Sequence, residues 1–137
     1  MAEFHWQVRV YYEDTDSGGV VYYANYLRFL ERARTEWMRA LGFEQDELIS
    51  NEGLLFAVRS ASLEYQRPAR FNDLLTVTVR VTERRRASLV FEQRVSRLED
   101  EQGPLCSATI MVACLDAESR VPRPRPENIL RELPDVV

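Results

Sequence analysis

The residue order predicts an α+β fold in which a five-stranded antiparallel sheet wraps around one long central helix. Two patterns carry this reading. One strand-like segment and one long helical pattern come first, and four strand-like segments then follow with no long helix between them. Consecutive strands favour antiparallel pairing, and one long helix can cover the face that a twisted sheet leaves bare. The 137 residues, 45% of them apolar, suit a single domain spanning 1–137 around one core.

The first strand is read at 6–13, WQVRVYYE, from its alternation of apolar and polar residues. The segment 14–21, DTDSGGVV, is rich in turn formers. Over 24–41 the period becomes helical. Leu27, Leu30, Arg34, Trp37 and Leu41 recur at three- and four-residue spacing, with Ala33 and Ala40 beside them. Gly42 is a natural stop for this helix. Arg28 with Glu31 and Arg32 with Glu36 stand at ion-pair spacing along it. A short helix is expected at 44–52, then strands at 54–66, 74–83, 87–98 and 105–116. Pro122, Pro124 and Pro126 make a stiff connector, and ENILREL is expected to close the chain as a short helix.

Composition excludes several kinds of chemistry. The net charge of −4 argues against a general nucleic-acid binder. The basic residues are all Arg, so neither a Schiff-base lysine nor a P-loop lysine is available. Arginine also suits phosphate, because its planar fork grips oxygens in pairs. His5 is the one histidine, so a multi-histidine metal site is ruled out. Cys106 and Cys114 fall on the same face of one strand, roughly 26 Å apart at 3.3 Å per residue. That is too far to bridge, and both read as small core residues. No apolar run reaches the length of a membrane span, and the N-terminal segment does not read as a secretion signal. The expected location is the cytoplasm.

The segment 12–26, YEDTDSGGVVYYANY, holds most of the chemical information. It joins the first strand to the start of the long helix, where unpaired N–H groups and a partial positive charge gather. Gly18 and Gly19 allow backbone to come close to a ligand, and Asp16 stands beside them. Free N–H donors beside a carboxylate suit acyl transfer: the donors hold a developing oxyanion while the carboxylate attacks or activates water. On spacing alone, an ordinary Asp–Gly turn explains the same residues. A calcium loop does not, since the fifth position is Gly18 and the twelfth is Asn25.

The run YYEDTDSGGVVYYANYLRFLERARTE resembles the signature of the bacterial Tol–Pal-associated acyl-CoA thioesterases (YbgC), relatives of 4-hydroxybenzoyl-CoA thioesterase. The likeness continues through FAVRSASLEYQRPARFNDLLTVTV and SLVFEQRV, so it covers most of the chain. It implies the hotdog fold. It also implies a catalytic carboxylate at Asp16 and a backbone N–H at Tyr23 that polarises the thioester carbonyl, with Gly19 close to the substrate. Many similar proteins carry His where Tyr23 stands, whereas the 4-hydroxybenzoyl branch has Tyr. A phenol with a pKa near 10 is no base at neutral pH.

Arg84, Arg85 and Arg86 lie between two predicted strands. By themselves they read as a solvated turn. The resemblance makes Arg85 and Arg86 a clamp for the coenzyme A phosphates. Glu31 reads either as a surface residue paired with Arg28 or as a contact to the acyl group. Tyr12 reads as a core or interface residue, or as a partner of the carboxylate.

The expected activity is hydrolysis of an acyl-CoA thioester to free acid and CoA, with no metal or redox cofactor. Asp16 acts as nucleophile or general base. The expected assembly is at least a homodimer, because edge-to-edge pairing removes an open sheet edge; the resemblance implies a homodimer or homotetramer with sites between protomers. Two rivals stand beside this. One is a non-hydrolytic scaffold that binds acyl carrier protein or envelope-associated partners. The other is a dehydratase, which needs a histidine better placed than His5.

Overall fold

The structure, a computed structural model, describes residues 3–98 and 102–124. Five strands form one sheet: β1 (Phe4–Arg9), β2 (Leu54–Tyr65), β3 (Leu74–Arg84), β4 (Ser88–Arg97) and β5 (Cys106–Asp116). Their order across the sheet is β1-β3-β4-β5-β2, and neighbours run antiparallel throughout. Helix α1 (Tyr26–Ala40) lies against the concave face, and α2 (Gln45–Glu52) leads into β2.

Alternation sets the core. Leu75, Val77, Val79 and Val81 of β3 point inward, as do Leu89, Phe91 and Val95 of β4 and Cys106, Ala108, Ile110, Val112 and Cys114 of β5. From α1 they meet Tyr26, Phe29, Leu30, Ala33, Trp37 and Met38. Trp37 packs edge-on against Phe91, with ring centres 5.3 Å apart. Fully burying side chains of this kind stabilises by about 1.5–3 kcal/mol each.

Helix α1 ends as Gly42 predicts. The Gly42 N–H donates to the Arg39 carbonyl and the Phe43 N–H to the Met38 carbonyl, each at 3.0 Å. Gly42 adopts φ +98°, which closes this Schellman motif without strain.

Two boundaries differ from the sequence expectation. The first strand runs from Phe4 to Arg9 instead of over 6–13, and the chain then bends into a 3-10 turn at Tyr12–Asp14. The long helix begins at Tyr26 but is preceded directly by a second 3-10 turn, Tyr23–Asn25. The expected ENILREL helix and Pro126 lie outside the described residues. Glu31 and Glu36 also take other partners than those expected. The Thr35 hydroxyl donates to Glu31 at 2.6 Å, and Arg39 holds Glu36 and Glu44.

Sheet edge β2 has no strand partner on its far side among the described residues. A bulge at Arg59 shifts its register against β5. Just before the bulge, Val58, opposite the buried Val112 of β5, is 52% exposed.

Candidate active site

Asp16 sits in a tight hairpin between β1 and α1. Thr15 and Val21 bridge its base, and Val20 bridges to Arg70. The Asp16 N–H donates to the Val20 carbonyl at 2.9 Å, and the Gly19 N–H donates to the Asp16 carbonyl at 3.0 Å. Gly19 takes φ +79°, so its place in the turn demands a left-handed backbone. Asp16 Oδ1 accepts the Gly18 N–H at 2.8 Å. Its Oδ2 has no partner among the described residues. The carboxylate therefore does two things: one oxygen holds the turn and the other faces outward.

Asp16 lines an open cleft of about 400 Å³ with Glu13, Thr15, Tyr22, Ala24, Asn25 and Arg28. The floor is held by Asp14, which sequence reasoning did not single out. Asp14 is 8% exposed. Its Oδ1 accepts the Asn25 side-chain amide at 2.9 Å and its Oδ2 accepts the Tyr11 N–H at 2.8 Å. Its carbonyl accepts the Tyr22 N–H at 2.9 Å. This one residue ties the turn after β1 to the turn before α1, which places Asp16 beside the helix start.

Tyr23 opens the second 3-10 turn, and neither its amide N–H nor that of Ala24 meets an acceptor among the described residues. These are the orphan donors of a helical start. The Tyr23 ring, 62% exposed, turns into a neighbouring cleft with Val21, Tyr26, Tyr65, Gln66, Arg67 and Pro68. The Tyr65 hydroxyl donates to the Tyr23 carbonyl at 3.1 Å. Partial burial pushes the Tyr65 phenol up, and the Tyr23 hydroxyl beside it pushes Tyr22 up, so both stay neutral at ordinary pH. Asp16 and the Tyr23 ring thus face different clefts, and the link between them is the backbone of 22–24.

The other sequence candidates lie farther off. Arg85 and Arg86 occupy the β3–β4 hairpin, at the end of β3 opposite the Asp16 turn. With ten residue steps from Leu74 to Arg84, the two ends are roughly 33 Å apart at 3.3 Å per residue. Arg85 is engaged by Glu83 through Nε at 2.9 Å and Nη2 at 3.1 Å. Arg86 is exposed and has no ionic partner among the described residues. Glu31 lines a second cleft deeper along α1. Tyr12 is 80% exposed and stacks on Phe71, with ring centres 5.0 Å apart, so it is not a core residue.

Both cysteines are buried and unbridged, and burial pushes the Cys106 thiol up to about 11. His5 is exposed on edge strand β1 beside Glu3. Among the described residues, no three His, Cys, Asp or Glu side chains gather closely enough to hold a metal ion. No helix among them is long and apolar enough to cross a membrane.

A sheet wrapped on one helix, with a carboxylate turn at the helix start, defines the hotdog class, and the chain belongs to the Thioesterase-like superfamily, whose profile matches residues 10–133. Within it, the chain is 46% identical over 129 residues to the "Acyl-CoA thioester hydrolase YbgC" of Escherichia coli O157:H7, covering 94% of each. It is 44% identical over 126 residues to the "Acyl-CoA thioesterase YbgC" of Haemophilus influenzae, covering 92% of this chain and 90% of that one. A solved structure, "Probable Thioesterase from Bartonella henselae", superposes with a TM-score of 0.84 at 38% identity, covering 91% of this chain and all of that one.

Proposed function

We propose that this chain is an acyl-CoA thioesterase whose working groups are the Asp16 carboxylate and the backbone N–H groups at the helix start. The activity class rests on the YbgC relatives, named as acyl-CoA thioester hydrolases over nearly the whole chain. The observation that carries the mechanism is Asp16 Oδ2, a carboxylate oxygen with no partner among the described residues, in a cleft shared with the residues that flank Tyr23.

The thioester carbonyl oxygen would accept the Tyr23 N–H, where the helix start favours growing negative charge. Asp16 then either attacks the carbonyl carbon or takes a proton from water that attacks it. In each route the C–S bond breaks and the thiolate leaves and takes up a proton; where Asp16 attacks, water then cleaves the resulting anhydride to release the acid and restore the carboxylate. Gly19 permits the left-handed turn beside Asp16; a Cβ there would meet nothing, but its backbone would be strained. Glu31 would meet only the far end of an acyl group, about 12 Å along the helix from Tyr23 at 1.5 Å per residue.

Arg85 and Arg86 are read as the phosphate grip, Arg86 above all. Their distance from Asp16 within one chain supports a site shared between copies, with the grip supplied by a partner protomer. The open β2 edge supports the pairing of those copies into a homodimer or a larger assembly. The reaction calls for no metal or redox cofactor, and we place it in the cytoplasm.

Asp16→Asn is the test. Asn keeps the Oδ1 acceptor for the Gly18 N–H, so the turn survives while the charge is lost. Release of free CoA should fall by on the order of 10² or more in kcat with circular dichroism unchanged. Near-normal turnover would move the chemistry elsewhere and leave Asp16 as a turn residue.

A further inference from the structure

Arg34 lies on the inner stripe of α1, between Leu30 and Trp37, and is largely sheltered from solvent. Its Nη1 donates to Gln93 Oε1 at 2.9 Å. Gln93, 1% exposed, cannot turn away. Its amide nitrogen donates to the Leu30 carbonyl at 3.1 Å and to the Thr78 carbonyl at 3.2 Å, which fixes Oε1 toward the arginine. The guanidinium is therefore held in one place by a rigid neutral acceptor. No carboxylate lies within ion-pairing distance of it among the described residues. Glu31, the nearest acid, is drawn to the rim by the Thr35 hydroxyl, which in turn takes the Gln45 amide at 3.3 Å. Burial lowers the pKa of Arg34 and the field of Glu31 opposes that shift, so the cation is desolvated and only distantly compensated.

Beside this cation is a cleft of about 110 Å³ between α1, α2 and the concave sheet. Trp37, Met38, Phe56, Leu89, Phe91 and Val112 form its apolar walls, and Glu31, Arg34, Thr35 and Gln45 line its polar side. An apolar cavity of about 150 Å³ takes benzene, so this one has room for about four to six heavy atoms. A hydroxyl would fill a donor site but leave the charge; a carboxylate answers both.

The geometry points to a binding site for a carboxylate on a short apolar stem, with the stem among the aromatic and aliphatic walls and the carboxylate on Arg34. Two sources share that chemistry. One is a free short-chain acid. The other is the far end of an acyl group that carries a terminal carboxylate, and this second source alone rests on the thioesterase reading. Arg34 stands about 16 Å along the helix from Tyr23 at 1.5 Å per residue, so such an acyl chain would be of medium length.

The experiment titrates butyrate into the full chain by calorimetry, with 1-butanol as the uncharged control, and repeats it on Arg34→Met. Butyrate should bind, 1-butanol should bind at least tenfold more weakly, and the variant should lose at least tenfold in butyrate affinity. If Arg34→Met does not fold, the guanidinium resonances of Arg34 in the unaltered protein serve instead; they should move with butyrate and not with 1-butanol. A second arm compares kcat/KM for a medium-chain acyl-CoA ending in carboxylate with its methyl-ended counterpart. A preference lost in Arg34→Met assigns the site to the substrate, and butyrate binding without such a preference assigns it to the free acid. Absence of butyrate binding together with absence of the preference, or butyrate binding indifferent to Arg34, overturns the site. The calorimetric arm needs no turnover, so its outcome is separate from whether the chain is a thioesterase.

Discussion

The side-chain amide of Asn25 reaches back eleven residues to donate to the Asp14 carboxylate at 2.9 Å, and the pair is buried. This bond closes the loop that carries Asp16, because Asp14 also holds the Tyr11 N–H on its other oxygen. Asp14→Ala would leave two donors without their acceptor. It should destabilise the chain by about 2–3 kcal/mol in urea unfolding, since hydrogen bonds to charged groups are worth about 1.5–3 kcal/mol. Turnover should fall as well, because the Asp16 turn loses its floor. A stability loss below about 0.5 kcal/mol would show that the turn is held by its backbone bonds alone.

Much of this architecture can be read from residue order, and what cannot has physical reasons. Strands β2 to β5 are legible because alternation over ten or more residues has one interpretation. The first strand is misjudged at its end because Tyr11 and Tyr12 keep the alternation while Asp14 captures the Tyr11 N–H and bends the chain. Such a side-chain capture leaves no periodic trace. At its start, Phe4 joins the sheet because Val79 is opposite it, which is a partner's property. The grip on Arg85 by Glu83 forms where the chain leaves β3 for the hairpin, a geometry that residue spacing does not reveal. Arg34 was in view as the one charge on an apolar stripe, but Gln93, its fixed partner, is 59 residues away.

The two hairpin arginines should differ. Arg85 is already held by Glu83, whereas Arg86 stands free among the described residues. Arg86→Ala should raise KM for acyl-CoA more than Arg85→Ala does, with kcat little changed, because phosphate contacts form in ground and transition states alike. Steady-state kinetics at low and high salt check this, and the gap should narrow as salt screens the exposed charge. An acyl-pantetheine without the nucleotide should be indifferent to both. Equal loss with that truncated substrate would remove the hairpin from phosphate binding.

In the proposed mechanism Tyr23 offers its amide to the reaction, while its ring turns into the neighbouring cleft. Tyr23→Phe should keep kcat within roughly tenfold, about 1.4 kcal/mol. Tyr23→His should be tolerated with a changed acyl preference. Kinetics on one aliphatic and one aromatic acyl-CoA would show it. A thousandfold drop for the Phe variant on both, with the fold intact, would put the hydroxyl in the chemistry.

Cys106 gives a pH-dependent prediction. Burial raises its thiol to about 11, above the ordinary value near 8.5. A raised folded value means that the unfolded chain loses this proton first. The stability this thiol contributes is therefore complete below about 8.5 and is lost as pH rises through the folded value. Urea midpoints should fall from pH 8 toward pH 11, and Cys106→Ala should flatten that fall. At pH 8 the native thiol should resist alkylation until urea is added; rapid labelling of the folded protein would contradict the burial.

The arginine hairpin and the Asp16 turn stand at opposite ends of β3, with no side chain shared between them. Within one protomer, alterations that far apart add in folding free energy. The two ends are thus separately adjustable. On the proposed function, a lineage, or a designer, could retune how firmly the chain holds the handle common to all its substrates without disturbing which bond it cuts, and could alter the cutting end without relearning the grip.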